Sequence, residues 1–299
     1  MAIQTATTGQ LENAQNTIIA KARYTQEHNM PVVQLFEKFS LPKGAKTITV
    51  PKVGQATFSG LTDGVDMVDT QDIGMTTVDL STAEVGAKFI LTDKLVRQES
   101  EDVFSIVGRQ LGDGLARKKD TDAIALFSGF SGALGADDKG LIVVNLLACI
   151  GYAKANKFPS PLRVVHHPNA IFDTMRSSSV VASIASGAGT PTYNLGPLPS
   201  DPDAGKYLKN FYKFSFNGAD IFEDGNIAVI GSTDSGYGAI FSPGAAAYVE
   251  SVGFSSAKER DESLRATEIV VVADYSLTEL DDAYGASMRY EIGAPATNL

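Results

Sequence analysis

Residues 53–87 carry six acidic side chains, Asp63, Asp66, Asp69, Asp72, Asp79 and Glu84, and neither a lysine nor an arginine. Apolar residues are scattered through the same stretch (Phe58, Leu61, Val65, Met67, Val68, Ile73, Met75, Val78, Leu80). Too few of them recur at one period to build a core. A long amphipathic helical pattern follows directly, from about Ser100 to Phe127. A segment of this kind, kept in a chain of otherwise ordinary globular composition, lies against a surface that the chain itself does not supply. It points to a protein completed by its neighbours, a building block rather than a self-contained catalyst.

Composition narrows the classes further. A chain of 299 residues, 43% hydrophobic and 20% charged, is long enough for one large domain or two small ones and is not disordered by default. The formal charge of −10 argues against a dedicated nucleic-acid binder, whose footprint is a basic face. It permits a surface that faces DNA without gripping it. The single cysteine, Cys149, has no intrachain partner; within the apolar run Leu141–Tyr152 it reads as a small core residue and fits a reducing compartment. The N-terminus, MAIQTATTGQ, has no basic and apolar targeting pattern. The longest apolar run, Leu141–Ala153, is broken by Asn145 and falls short of the ~20 residues that span a bilayer. The expectation is a soluble product of the cytoplasm with no membrane partner.

Along the chain, residues 1–10 read as a tail, and Leu11–Phe39 as a weak helical pattern interrupted by Pro31. Thr47–Val53 alternates as a strand does, and Val85, Ala87, Phe89 and Leu91 form a second period-two run. Together these predict a long hairpin with its tip near Gly60–Gly74, and a two-stranded hairpin needs a surface to lie on. The helix that follows has Ser100 as N-cap and Glu101 and Asp102 in its first turn. Its stripe is Val103, Val107, Leu111 and Leu115, filled out by Ile106, Ile124 and Phe127, and Ser128-Gly129 ends it. At 1.5 Å per residue such a helix spans roughly 40 Å. Beyond it the pattern predicts a helix at about Val144–Asn156, a buried strand Leu162–His166 and a helix opened by Pro168. An exposed Gly/Ser/Pro-rich loop at Ser177–Asp203 comes next. Strands follow at Phe211–Phe216, Ile227–Ile230 and Ala239–Phe241, with turns at Asn217-Gly218 and Asp224-Gly225. The chain closes with a strand Leu264–Tyr275, a turn or short helix at Thr278–Asp282, and an alternating run through Tyr284, Ala286, Met288, Tyr290 and Ile292.

Candidate chemistry is sparse. Asp63, Asp66, Asp69 and Asp72 recur at intervals of three but lack the ligand order and the closing Glu of a calcium loop, so a solvated or partner-facing loop is the reading. The basic cluster Arg117, Lys118 and Lys119 has two: a landing site for another subunit's acidic loop, or charges that serve the C-terminal half of their own helix. His166 and His167, adjacent on a strand, point to opposite faces and do not easily share a metal. Gly129-Phe130-Ser131-Gly132-Ala133 ends in Ala where a nucleophile elbow needs Gly. Gly112-Asp113-Gly114 lies inside a helix and has Arg117 where a dinucleotide fingerprint needs a small residue. No P-loop is present. The expectation is no enzyme, no cofactor and no metal.

Three stretches carry a resemblance: FILTDKLVRQESEDVFSIVGRQLGDGLARKKDTDAIALFSG (89–129), RVVHHPNAIFDTMRS (163–177) and DESLRATEIVVVADYSLTELDDAYGASMRYEI (261–292). In this order and spacing the chain resembles the major capsid proteins of tailed bacteriophages, of the Hong Kong 97 phage-type fold. The resemblance implies an α+β fold with an N-terminal arm (1–46), then an E-loop hairpin with flanking peripheral strands (47–99, the loop itself about 53–90). A long spine helix with peripheral-domain residues (100–139), an axial domain (140–251) and peripheral C-terminal strands (252–299) complete it.

The resemblance further implies a structural protein that self-assembles as pentamers and hexamers into an icosahedral shell around double-stranded DNA, bound without sequence preference. Separate scaffolding, portal and decoration proteins are implied partners. The 46 or so residues before the E-loop leave no room for the N-terminal scaffolding domain of some members. Candidate intersubunit contacts are Asp63, Asp66, Asp69 and Asp72 on the loop and Arg117, Lys118 and Lys119 on the spine helix. Some relatives join subunits through an E-loop lysine; none stands between Lys52 and Lys88 here, so a non-covalent shell is expected. The alternatives are an encapsulin-like compartment around a cargo enzyme and an uncharacterised soluble α+β hydrolase.

Overall fold

The computed structural model describes residues 30–54, 58, 60–64, 66, 74–94, 103–183 and 212–294. Two sheets and a bridging helix organise them. The first sheet has strand order β1-β10-β11-β4 and is built from β1 (Glu37–Ser40), β4 (Ala83–Thr92), β10 (Ala246–Asp261) and β11 (Ala266–Glu279). Its spine is the long antiparallel β10–β11 pair, running from Ala246↔Glu279 to Asp261↔Ala266. Asp261 closes that turn chemically: its Oδ1 accepts from the Ser263 amide at 2.8 Å and the Leu264 amide at 3.1 Å, a side chain standing in for a backbone turn. The second sheet has order β5-β12-β9-β6-β8-β7. Its strands are β5 (Gly132–Gly135), β6 (Leu162–His166), β7 (Tyr212–Phe216), β8 (Ala219–Glu223), β9 (Ser235–Phe241) and β12 (Gly285–Glu291). A separate hairpin pairs β2 (Thr47–Lys52) with β3 (Thr76–Ser81).

The hairpin root and its return differ from the alternation pattern. The strand that pairs with β2 is β3, whereas the run Val85–Leu91 belongs to β4 and pairs with β11. Period two shows that a segment has two unlike faces; it does not name the strand beside it. Thr82 marks the change of sheet, its Oγ1 donating to Asp274 Oδ2 at 2.9 Å.

The helix α1 (Val103–Ala125), closed by a 3₁₀ turn at Leu126–Ser128, turns its expected stripe inward from Val107 on, the side chain of Val103 lying outside the described residues. Val107 and Leu111 pack with Leu91, Ile269 and Val271 of the first sheet. Further along, Leu115, Ile124 and Phe127 join the large core around the second sheet. Ile106 does not join the stripe and is 44% exposed. The expected cap at Ser100, Glu101 and Asp102 lies outside the described residues. Phe36, Phe127, Phe130 and Phe241 form an aromatic nest with centroids 5.2–6.4 Å apart, which fastens the end of α1 to β9 and to the segment before β1.

Of the Leu11–Phe39 pattern, residues 11–29 lie outside the described residues, and the part beyond the interruption expected at Pro31 is not an α-helix. Among the described residues it makes a 3₁₀ turn at Val33–Leu35 and then β1, with Val32, Val33, Leu35 and Phe36 all buried. Burial of consecutive apolar residues by tertiary contacts overrode a weak helical period.

In the second sheet, α2 (Val143–Ala155), β6 and α3 (Pro168–Ser183) stand close to the expected positions. Residues 177–183, expected in a loop, continue α3; 184–211 lie outside the described residues. Asn217 and Gly218, with φ of 50° and 83°, form the two-residue turn between β7 and β8. Ile227–Ile230 is not a strand. It follows a loop path in which Ile227 is buried and Ile230 N donates to Ser235 O at 2.8 Å.

The last alternating run joins this sheet as β12, not the first sheet with β10 and β11. Tyr290 OH meets Cys149 Sγ of α2 at 3.3 Å. On the other face Gly285 lies so close to the Phe130 ring that a Cβ would stand 2.7 Å from it. Both faces of β12 are therefore covered.

Candidate intersubunit surfaces

The root of the β2–β3 hairpin is anchored to its own chain. Ile48, Val50, Val78 and Leu80 pack around Leu41, Ala247 and Val249, and Leu80 is fully buried. Lys52 Nζ reaches Asp281 Oδ1 at 2.5 Å, and Thr49 Oγ1 donates to Asp79 Oδ1 at 2.7 Å. Past that root the character reverses. Val53, Phe58, Leu61 and Met75 are 58%, 95%, 70% and 61% exposed. Burying each such side chain is worth roughly 1.5–3 kcal/mol, which is left unrealised in the single chain. Asp63 and Asp66 are exposed on the same loop; Asp69 and Asp72 lie outside the described residues.

The basic cluster on α1 divides. Arg117 is exposed, and Lys118 is exposed with its Nζ 2.7 Å from Asp122 Oδ1 one turn on. Lys119 is corrected from a surface contact to a core residue, at 1% exposure. Its Nζ lies 3.3 Å from Glu250 Oε1 and over the rings of Tyr248 and Tyr275, 5.5 and 5.1 Å from their centroids. Burial pushes its pKa down, and the Glu250 charge opposes that shift. The signal was present in the sequence: Lys119 continues the Leu111–Leu115 row at the next i+4 step, on the inward stripe.

A groove of about 330 Å³ runs between α1 and β4, lined by Val85, Ala87 and Phe89 on the strand and by Gln110, Gly114 and Lys118 on the helix. Spacing of four puts those three helix residues in one row. A Cβ at Gly114 would meet no atom within 4 Å, so the groove is open there. Among the described residues the strand that borders it, β4, is the edge of its sheet, and a sheet edge offers backbone donors and acceptors to another chain. Helix periodicity alone did not single out Gln110, because the groove exists only once β4 lies beside α1.

The histidine pair is built into the fold. His166 is fully buried; burial first, and the neighbouring His167 second, hold its pKa down to about 3. Its Nδ1 accepts from the His167 amide at 2.9 Å, and the His167 Nδ1 accepts from the Asn169 amide at 3.2 Å, capping α3. Among the described residues no three His, Cys, Asp or Glu side chains are grouped as metal ligands, and no helix is long and apolar enough to cross a membrane.

The phage capsid protein family model matches residues 75–296. No curated protein matches the chain. Among solved structures, one of Mycobacterium phage Che8 shares 18% identity at a TM-score of 0.61, over 82% of this chain and 84% of that one. The head of Helicobacter pylori bacteriophage KHP40 aligns at 8% identity and a TM-score of 0.65, over 89% and 91% of the two chains. A virus-like particle from Pyrococcus furiosus aligns at 10% identity and 0.55, over 91% and 98%. At these identities the structural likeness speaks for the fold, a mixed α+β arrangement of the Hong Kong 97 phage type. Taken with the family match, which spans most of the chain, it makes this protein a member of the phage capsid protein family, a structural component of the virion.

Proposed function

We propose that many copies of this chain assemble as pentamers and hexamers into an icosahedral shell around double-stranded DNA. In this reading the β2–β3 hairpin and its loop form the E-loop, α1 is the spine helix, the first sheet belongs to the peripheral domain and most of the second to the axial domain. The observation that carries it is the contrast along the hairpin, anchored and buried at its root but up to 95% exposed at Phe58 beyond it. The loop would lie over an adjacent subunit, with Phe58 and Leu61 taking the burial they lack and the loop acids meeting exposed basic side chains such as Arg117 and Lys118. The groove beside β4 is a fitting receptor, since it joins apolar walls to Lys118. A net charge of −10 suits a wall that must not hold packaged phosphates.

Electron microscopy of the expressed chain should show closed particles. Phe58→Ser with Leu61→Ser should leave soluble, folded subunits that do not close into shells, because neither side chain supports the fold of its own chain. Intact shells from that variant would remove the loop from the assembly contact. Nucleic acid in particles purified from infected cells fits the proposal; a co-purifying cargo protein in its place would favour an encapsulin-like compartment.

A further inference from the structure

Two acids are buried where three parts of the chain meet. Asp120, on the inward side of α1, is fully buried, and Asp224, just after β8, is 2% exposed. Asp120 Oδ1 accepts from the Val32 amide at 3.2 Å, and its Oδ2 accepts from Asn226 Nδ2 at 2.9 Å. Asp224 Oδ1 accepts from the Asn226 amide at 2.8 Å. Asp224 Oδ2, although buried, meets no donor among the described residues; Asn226 holds the two acids together, its amide on one and its side chain on the other, and their side chains come within hydrogen-bond reach. Two facing carboxylates with no proton between them would repel in a site that water does not screen.

Among the described residues nothing nearby supplies the missing positive charge. Lys119 is turned to Glu250, and Arg163 donates to the Leu35 carbonyl. His167 feels Asp224 and Glu223, but burial dominates and lowers its pKa. His166 is neutral in its buried site. We propose that Asp120 and Asp224 share a single proton and so form a lock that ties α1 to the Val32 segment and to the loop after β8. This goes beyond the shell reading and does not depend on it.

The lock has a defined response to pH. Burial first, and then Asp224, raise the Asp120 pKa from 3.8 to about 9. Because the folded value lies above the unfolded one, the contribution is complete below the unfolded value and is lost as pH rises through the window up to about 9. Within it the folded state holds one more proton than the unfolded chain, and this site lowers the folding constant roughly tenfold per pH unit. Above the window a second carboxylate forms in the closed site, and repulsion weakens the tie at Val32.

Asp224→Asn tests this directly, since the new amide can keep the Asn226 contact and donate permanently to Asp120. The full-length variant should lose the site's share of the pH dependence, so that its melting temperature falls less between neutral pH and about 9 than that of the parent. Infrared spectra taken between Glu279's pKa of about 7 and the lock's of about 9 should show a protonated carboxylic acid in the parent. The band should be absent from the variant. Equal pH slopes, or no such band in the parent, would overturn the lock. So would stabilisation of the parent but not the variant by added calcium or magnesium, which would put a cation between the carboxylates. The spectrum of the parent decides the matter even if the variant fails to fold.

Discussion

Lys119 and Glu250 show how a residue's neighbours decide its meaning. The ammonium is almost wholly enclosed while the carboxylate keeps about a third of its side chain in water, 2% against 36% exposed. The two partners are therefore not equivalent. Glu250→Ala strands a buried charge and should cost about 3 kcal/mol, read as a lower urea midpoint at unchanged m-value. Lys119→Met keeps a stem against Tyr248 and Tyr275 and frees Glu250 to hydrate, so its cost should stay below about 1.5 kcal/mol. The opposite ranking would mean that the pair works mainly through Lys119's packing. Gly238 is a second case: a Cβ there would stand 2.3 Å from the His166 ring and 2.5 Å from the Val165 carbonyl. Gly238→Val should cost about 3 kcal/mol through overpacking, seen as a lower thermal midpoint.

Among the elements, α1 was the most legible, because a repeat of 3.6 over many residues has few alternative explanations. Its stripe Val107–Leu111–Leu115 and its end near Ser128 follow the pattern. Phe127 at that end touches both Phe36 and Phe241, so Phe127→Ala should cost about 3–5 kcal/mol and lower the cooperativity of thermal unfolding. The turn at Asn217-Gly218 was equally readable, since both residues hold positive φ. Strands were less so. β4 and β12 announced themselves by alternation, yet each paired in a sheet that alternation does not identify. Ile227–Ile230 has strand-like residues and found no ladder.

On the scale of the molecule, the lysines that flank the acidic stretch are already engaged within the chain, Lys52 with Asp281 and Lys88 with Glu268. The stretch between them has none. A shell built from this chain should therefore be held by burial, strand pairing and charge alone. Boiled, reduced particles should run as one band near 31.6 kDa on a denaturing gel, whereas a ladder of multimers would show a covalent weld at another site. Interfaces in such a shell should each bury ~2,000 Å² or more, which scattered surface charges such as Arg117 and Lys118 would not supply by themselves.

By itself, the sequence determined the long helix with its inward stripe, most of the strands and helices around it, and a loop whose described apolar residues Phe58 and Leu61 stay exposed on their own chain. All of these are written in local periods, in residue types and in spacing. Only the tertiary structure decided that β3 rather than β4 returns the hairpin, that β12 closes the second sheet, that Lys119 is a core residue and that Asp120 meets Asp224 across 104 positions of chain. Pairing partners and buried charges depend on which distant segments come together. A pattern of period two or 3.6 fixes the direction a side chain faces but not what it will meet there.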